Sequence, residues 1–193
     1  MVPVSEVQRR WVLSGGIGSG KSEVRTLLEK SGVATIDADG IGHLVLASDG
    51  PASAEVASRW PRVVVDGEID RAALASIVFE DPGELASLES ITHPYIFDTI
   101  RARVQDIAGP VVVEIPLFYH RLGDDWRWIV VDCDDQTRLH RLLDRGMTED
   151  DIRARMKTQP SRADWLAAAD LVIPNHGSLN GLVGTVALVA SRL

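Results

Sequence analysis

Short continuous apolar runs recur along the chain at residues 11–13, 33–36, 111–115, 128–131 and 171–173, with amphipathic stretches between them. Runs of this length that do not alternate with polar residues suit strands covered on both faces, as in parallel sheets crossed by helices. The pattern predicts an α/β fold, a five-stranded parallel sheet flanked by helices. Such sheets bind ligands beyond the C-terminal ends of their strands. The residues that close or follow each run are therefore the informative ones. They are a glycine-rich segment after the first run, Asp37-Ala38-Asp39 after the second and Glu114 within the third.

The second and third runs lie much farther apart than one crossover helix requires, so the interval 48–109 is expected to hold an inserted helical region. Residues 70–79 carry Leu74, Ile77 and Val78 on one helical face, and 82–92 form another helical stretch. A second helix start is expected at His93-Pro94, with Pro94 in the first turn, where its missing N–H has no helical partner. Asp66-Gly67 supplies a turn ahead of this region.

Composition narrows the class. A chain of 193 residues with 45% hydrophobic content suits a single domain with a substantial core. No apolar run approaches the roughly 18 residues of a membrane span, and no secretory signal is visible, so a soluble, cytoplasmic protein without a membrane partner is expected. A net charge of −8 argues against broad contact with a nucleic-acid backbone. The single cysteine, Cys133, cannot form an internal disulfide and reads as core. The five histidines show no zinc-binding spacing. A compact phosphate compound remains the expected ligand.

The segment Gly15-Gly16-Ile17-Gly18-Ser19-Gly20-Lys21-Ser22 follows the first run and precedes a helical stretch at 23–30, which is the context a phosphate-binding loop requires. Glycines allow the backbone to turn successive N–H groups toward an anion. The loop from Gly16 through Ile17, Gly18, Ser19 and Gly20 would surround the β-phosphate of a nucleotide. Lys21 would reach the β and γ oxygens, and Ser22 would offer its hydroxyl to Mg²⁺.

Asp37 and Asp39 stand two apart past a strand end, and alternation would send both to one side if the chain stayed extended. One would accept a proton from a substrate hydroxyl while the other organised a metal or its water; a helix N-cap before Ile41 is the competing reading. Glu114 is an acid inside an apolar run. It reads either as a water-mediated partner of Mg²⁺ or as half of a buried ion pair. Arg138, Arg141, Arg145, Arg153, Arg155, Lys157 and Arg162 concentrate positive charge in an acidic chain, with a helix start at Thr148 and an apolar pair, Ile152 and Met156. They suit a helical flap over phosphates or, equally, a solvated charged face.

The ordered motifs "LSGGIGSGKS", "GVATIDADGI", "IDRAALASIVF", "LESITHPYI", "VVVEIPLF", "IVVDCDDQTRLHRLLDR" and "AADLVIPNHGSL" resemble those of dephospho-CoA kinases nearly from end to end. The resemblance implies a P-loop kinase that uses ATP and Mg²⁺ to phosphorylate the ribose 3′-hydroxyl of dephospho-CoA. It further implies a helical coenzyme-binding region, a lid at about 145–162, and a monomer or weak homo-oligomer. By position, Asp39 matches the proposed catalytic base, and Arg145 matches the arginine that opens the lid and contacts ATP phosphates. Asn175 corresponds to the asparagine near the adenine site. Substrate contacts fall on Asp37, His43, His93, Arg141 and Arg155, and Gln159 occupies a recurrent position. The chain departs from the pattern at His43, where an Arg is usual, at Glu114, where Asp is usual, at His120, where an acid is common, and at Glu23, where Thr is usual. Two further readings stay open: another small-molecule or nucleoside kinase, since the loop and lid are shared and only the inserted region selects the acceptor, and a nucleotide-binding regulator without catalysis, motivated by the changes at His43, Glu114 and His120.

Overall fold

The computed structural model describes residues 10–116, 122–123 and 125–193; His120 lies outside them. The described chain forms two compact units, one from 10–37 with 107–193 and the other from 38–106.

The first unit is the predicted parallel sheet. Its strands are β1 (Arg10–Ser14), β2 (Ala34–Asp37), β5 (Val111–Glu114), β6 (Trp126–Asp132) and β7 (Leu171–Pro174), in the order β2-β5-β1-β6-β7, all pairs parallel. With β1 central, the chain leaves it toward β2 on one side and later fills β6 and β7 on the other. The end of β1 thus lies where strand order reverses, the place at which open α/β sheets bind ligands. Trp11, Leu13, Val112, Ile129, Val131 and Ile173 pack with Val24, Leu27 and Leu28 of α1 (Lys21–Lys30) and with Leu182, Val186 and Val189 of α9 (Leu179–Ala190). Each such side chain contributes about 1.5–3 kcal/mol relative to exposure, so α1 is fixed against the sheet by its apolar face. The same unit carries α6 (Asp135–Asp144), α7 (Glu149–Thr158) and α8 (Arg162–Ala167). Thr148 caps α7 as expected, accepting from the Asp151 N–H, and Ile152 is buried. Cys133 is buried too, and burial pushes its thiol up from the ordinary value.

The second unit is helical. It contains α2 (Ala38–Val45), α3 (Ser53–Arg59), a 3₁₀ turn at Pro61–Val63, the short hairpin of β3 (Val64–Val65) and β4 (Glu68–Ile69), then α4 (Arg71–Glu80) and α5 (Pro82–Gln105). Asp66 and Gly67 join β3 to β4 with φ of 52° and 82°. Positive φ at both central residues matches the twist of a two-residue hairpin, which explains the Asp-Gly pair.

Two expectations are corrected. The second helix start at His93-Pro94 does not exist: α5 runs unbroken through Pro94. The first-turn proline is instead Pro82, which follows the N-cap Asp81, whose side chain accepts from the Gly83 N–H at 2.7 Å. A mid-helix proline removes one backbone bond, and the buried side chains Phe97, Ile100 and Val104 beyond it keep the helix packed. Nor does the chain stay extended through Asp37-Ala38-Asp39. It passes from β2 directly into α2, so Asp37 closes a strand while Asp39 lies exposed in the first helical turn.

Candidate active site

Between the buried end of β1 and the start of α1, residues 15–20 form a loop whose carbonyls are held by the protein. Ser19 N–H donates to the Gly16 carbonyl at 3.1 Å, and Lys21 Nζ donates to the Gly15 and Gly16 carbonyls at 2.8 and 3.3 Å. Arg138 Nε donates to the Ile17 carbonyl at 2.7 Å. Asn175 Nδ2 and Arg141 Nη1 donate to the Ser19 carbonyl at 2.7 and 3.3 Å. With these oxygens turned to protein donors, and with the Ile17 and Ser19 N–H groups also bonded within the protein, the N–H polarity for a ligand falls to the rest of the loop and the start of α1. Gly20 precedes α1 at φ 96° and no side chain caps the helix, so the positive helix end is open to an anion.

Two of the glycines are required by close approach. A Cβ on Gly16 would collide with the Arg138 guanidinium, and one on Gly20 would collide with the Asn175 amide. The loop therefore rests directly on two polar side chains supplied by α6 and by the residue after β7.

On the β5 side, the register pairs Glu114 with Leu13 of β1 and with Asp37 of β2. Glu114 is buried, and its two oxygens are divided between different partners. Oε1 accepts from the Ser22 hydroxyl at 2.8 Å and Oε2 from Arg25 Nε at 2.7 Å. Burial opposes the Arg25 charge, yet the bond and charge of Glu114, helped by Glu29, hold that guanidinium above its ordinary value. Of the two readings left open for Glu114, the buried ion pair is thus present, and the carboxylate also faces the phosphate-loop serine. Arg25 was not singled out in the sequence. Its signal was its spacing: three residues after Ser22, it shares that face of α1.

Ser22 Oγ and Glu114 Oε1 are hard oxygen donors side by side, which suits Mg²⁺ shared with phosphates and water. Among the described residues no three His, Cys, Asp or Glu side chains converge as an all-protein metal cage.

Beside Gly20 opens a cavity of about 390 Å³ lined by Gly20, Glu23, Arg141, Asp144, Arg145, Asn175, Gly177, Leu179 and Leu182. Its place next to the loop and its leucines suit a nucleobase with its sugar.

A family model for dephospho-CoA kinase matches residues 11–181. The chain belongs to the dephospho-CoA kinase family. The dephospho-CoA kinase of Streptomyces avermitilis is 42% identical, with 88% of this chain and 86% of that protein covered. That of Thermobifida fusca is 39% identical over 94% of each. Among solved structures, a dephospho-CoA kinase from Campylobacter jejuni superposes with a TM-score of 0.72 at 25% identity, covering 95% of this chain and 96% of that one. The TT1252 protein of Thermus thermophilus gives 0.84 at 29%, covering 96% and 98%.

Within this family frame, the residues anticipated from the sequence fall into groups. Gly16, Ile17, Gly18, Ser19, Gly20, Lys21 and Ser22 form the loop and the helix start, with Glu114 alongside. Arg141 and Arg145 line the cavity, and exposed Arg155 lies on α7. Asn175 also lines the cavity, but its amide is committed: Nδ2 holds the Ser19 carbonyl and Oδ1 accepts from Arg141 Nη2 at 3.4 Å. Asp37 lies 4.0 Å from Arg25 Nη2. Asp39, His43 and His93 belong to the helical unit; His93 contacts the Phe97 ring edge-on at 5.6 Å between centroids. Arg138 and Gln159 were seen in the sequence only as part of a basic run and as a recurrent position. Their contacts with the loop join positions 121 and 142 residues apart, which no local spacing reveals.

Proposed function

We propose that this chain transfers the terminal phosphoryl group of ATP to the ribose 3′-hydroxyl of dephospho-CoA, giving coenzyme A. The observation that carries the reading is the phosphate loop in which the Gly15, Gly16, Ile17 and Ser19 carbonyls are bonded to protein donors, with Ser22 and Glu114 adjoining it. Membership of the kinase family supplies the acceptor.

In this reading the loop and Lys21 hold the ATP phosphates, and the base lies in the cavity beside Arg141 and Asn175. Ser22 and, through water, Glu114 would hold Mg²⁺, which when bound offsets charge on the β- and γ-phosphates. Asp39 receives the proton of the 3′-hydroxyl. Arg145 neutralises charge on the phosphoryl group in flight, and the segment at 145–162 excludes water as a lid. The coenzyme is held by the inserted helical region at 48–109, with Asp37, His43, His93, Arg141 and Arg155 contributing contacts. No helix among the described residues is long and apolar enough to cross a membrane, and we assign the activity to the cytoplasm.

The test is incubation of purified protein with ATP, Mg²⁺ and dephospho-CoA beside a panel of nucleosides. Coenzyme A formation supports the proposal, while phosphorylation of a different acceptor, or ATP binding without turnover, overturns it. Asp39→Asn is expected to reduce turnover by about 100-fold or more while ATP affinity stays near that of the native chain. Weakened ATP binding at normal turnover would remove Asp39 from its assigned role.

A further inference from the structure

The backbone of Ile17 is gripped on both sides of its Cα. Its carbonyl accepts from Arg138 Nε at 2.7 Å, and its N–H donates to Gln159 Oε1 at 2.8 Å. Arg138 Nη2 reaches the same Gln159 oxygen at 3.4 Å, and Nη1 donates to Asp135 at 2.9 Å. The Arg138 side chain is only 6% exposed, and it occupies the space a Cβ on Gly16 would need. Gln159 is the residue that ends α7, in the segment assigned to the lid.

We infer that Arg138 and Gln159 form a latch that fixes the backbone of Ile17 and ties the end of α7 to the phosphate loop, making both of them positioning residues for nucleotide binding. The inference rests on the proposed kinase reading for its ligand, a nucleoside di- or triphosphate.

The physical basis is a pair of constraints on the two peptide planes that meet at the Ile17 Cα: the N–H lies in the plane shared with Gly16, and the carbonyl in the plane shared with Gly18. With only one of these planes held, the other can still turn about φ or ψ of Ile17; with both held, neither dihedral can change without breaking one of the two bonds. Because the Ile17 N–H is already used by Gln159, the donors available to phosphate begin farther along the loop. The two peptide planes at Ile17 are set before ligand arrives, and this lowers the ordering cost of binding. A guanidinium is required because three acceptors, Ile17 O, Gln159 Oε1 and Asp135 Oδ1, spread around one planar fork. An ammonium at the same place cannot span them. The buried positive charge also lies behind the loop that receives the anion.

The experiment measures ADP affinity by calorimetry for the native chain, Arg138→Met, Arg138→Lys, Gln159→Leu and the Arg138→Met/Gln159→Leu double variant. Unfolding midpoints are recorded for each, and exchange of the Ile17 amide is followed by NMR. Each single change is expected to weaken ADP about tenfold, the scale of one charge-assisted hydrogen bond. The double variant should lose much less than the product of the singles, because both act on the backbone of one residue and touch each other. Lys at 138 should not rescue. Gln159→Leu should speed exchange at Ile17 while leaving the core strands protected. Unchanged ADP affinity in Gln159→Leu, or fully multiplicative losses in the double variant, overturns the latch. Should Arg138→Met fail to fold, Arg138→Lys takes its place in the cycle with Gln159→Leu. ADP binding requires no acceptor, so a native chain that ignores dephospho-CoA yet shows this coupling would refute the substrate and keep the latch.

Discussion

Two strand ends of the sheet each carry a buried carboxylate paired with an arginine, yet their oxygens are used differently. At the end of β6, Asp132 gives both oxygens to one guanidinium: Arg162 Nε and Nη2 each donate at 2.7 Å. At the end of β5, Glu114 gives one oxygen to Arg25 and the other to the Ser22 hydroxyl. The first arrangement is closed, since a bidentate fork consumes the carboxylate and ties the start of α8 to the sheet. The second is divided, with one oxygen bonded to the residue expected to hold a metal. A buried acid needs a partner in either case. Whether it also serves chemistry depends on what its second oxygen is bonded to.

The largest break in this contrast is expected from Glu114→Gln. It preserves shape and removes charge, so kcat at saturating ATP should fall by about 100-fold, the scale of losing one preorganised charge-stabilising group. The Mg²⁺ requirement should rise as well, and a titration of rate against Mg²⁺ checks both. Asp132→Asn should do the reverse, leaving kcat close to native while lowering the unfolding midpoint by about 2–4 °C. Equal losses of kcat in the two variants would erase the distinction.

A smaller effect sharpens the contrast through pH. The hydrogen bond from Arg162, against the opposing effect of burial, holds the Asp132 carboxyl below the usual carboxylate value. A depressed folded-state value means that the pair stabilises the fold above the unfolded value of about 3.9. That stability is lost as pH falls from there through the folded value. Asp134, at the N-cap of α6, and Asp164, in the cap of α8, are also lowered by their cap hydrogen bonds and act in the same direction. Urea denaturation across this acid range should therefore show a shallower fall for Asp132→Asn than for the native chain.

The smallest expected effect lies next to Asp132. Cys133 is buried and its thiol is raised by that burial. A thiol reagent at mild alkaline pH should label the native protein much more slowly than the urea-unfolded protein. Rapid native labelling would show that the β6 end is more open than its burial implies.

Much of this molecule was readable in one dimension. The five apolar runs mark the five strands, and in β1 and β5 nearly every side chain is buried, as a strand covered on both faces requires. The phosphate loop was legible because its glycines and Lys-Ser lie together in sequence, and the Asp-Gly hairpin because two consecutive positive φ angles restrict residue choice. Pro94 was misread as a helix start. Proline preference is local, whereas the packing of Phe97, Ile100 and Val104 that carries α5 through it is tertiary.

The chain's own order of residues thus determined the sheet, the loop and the kinase family, since each depends on neighbours or on regular periodicity. Only the folded structure decided how the strand-end acids divide their oxygens and which distant side chains lie beneath the loop. Arg138, Gln159 and Asn175 meet residues 17 and 19 across more than a hundred positions. Such contacts arise from the stacking order of parallel strands, which brings separate strand ends and the helix after β6 to one edge, and no spacing along the chain encodes it.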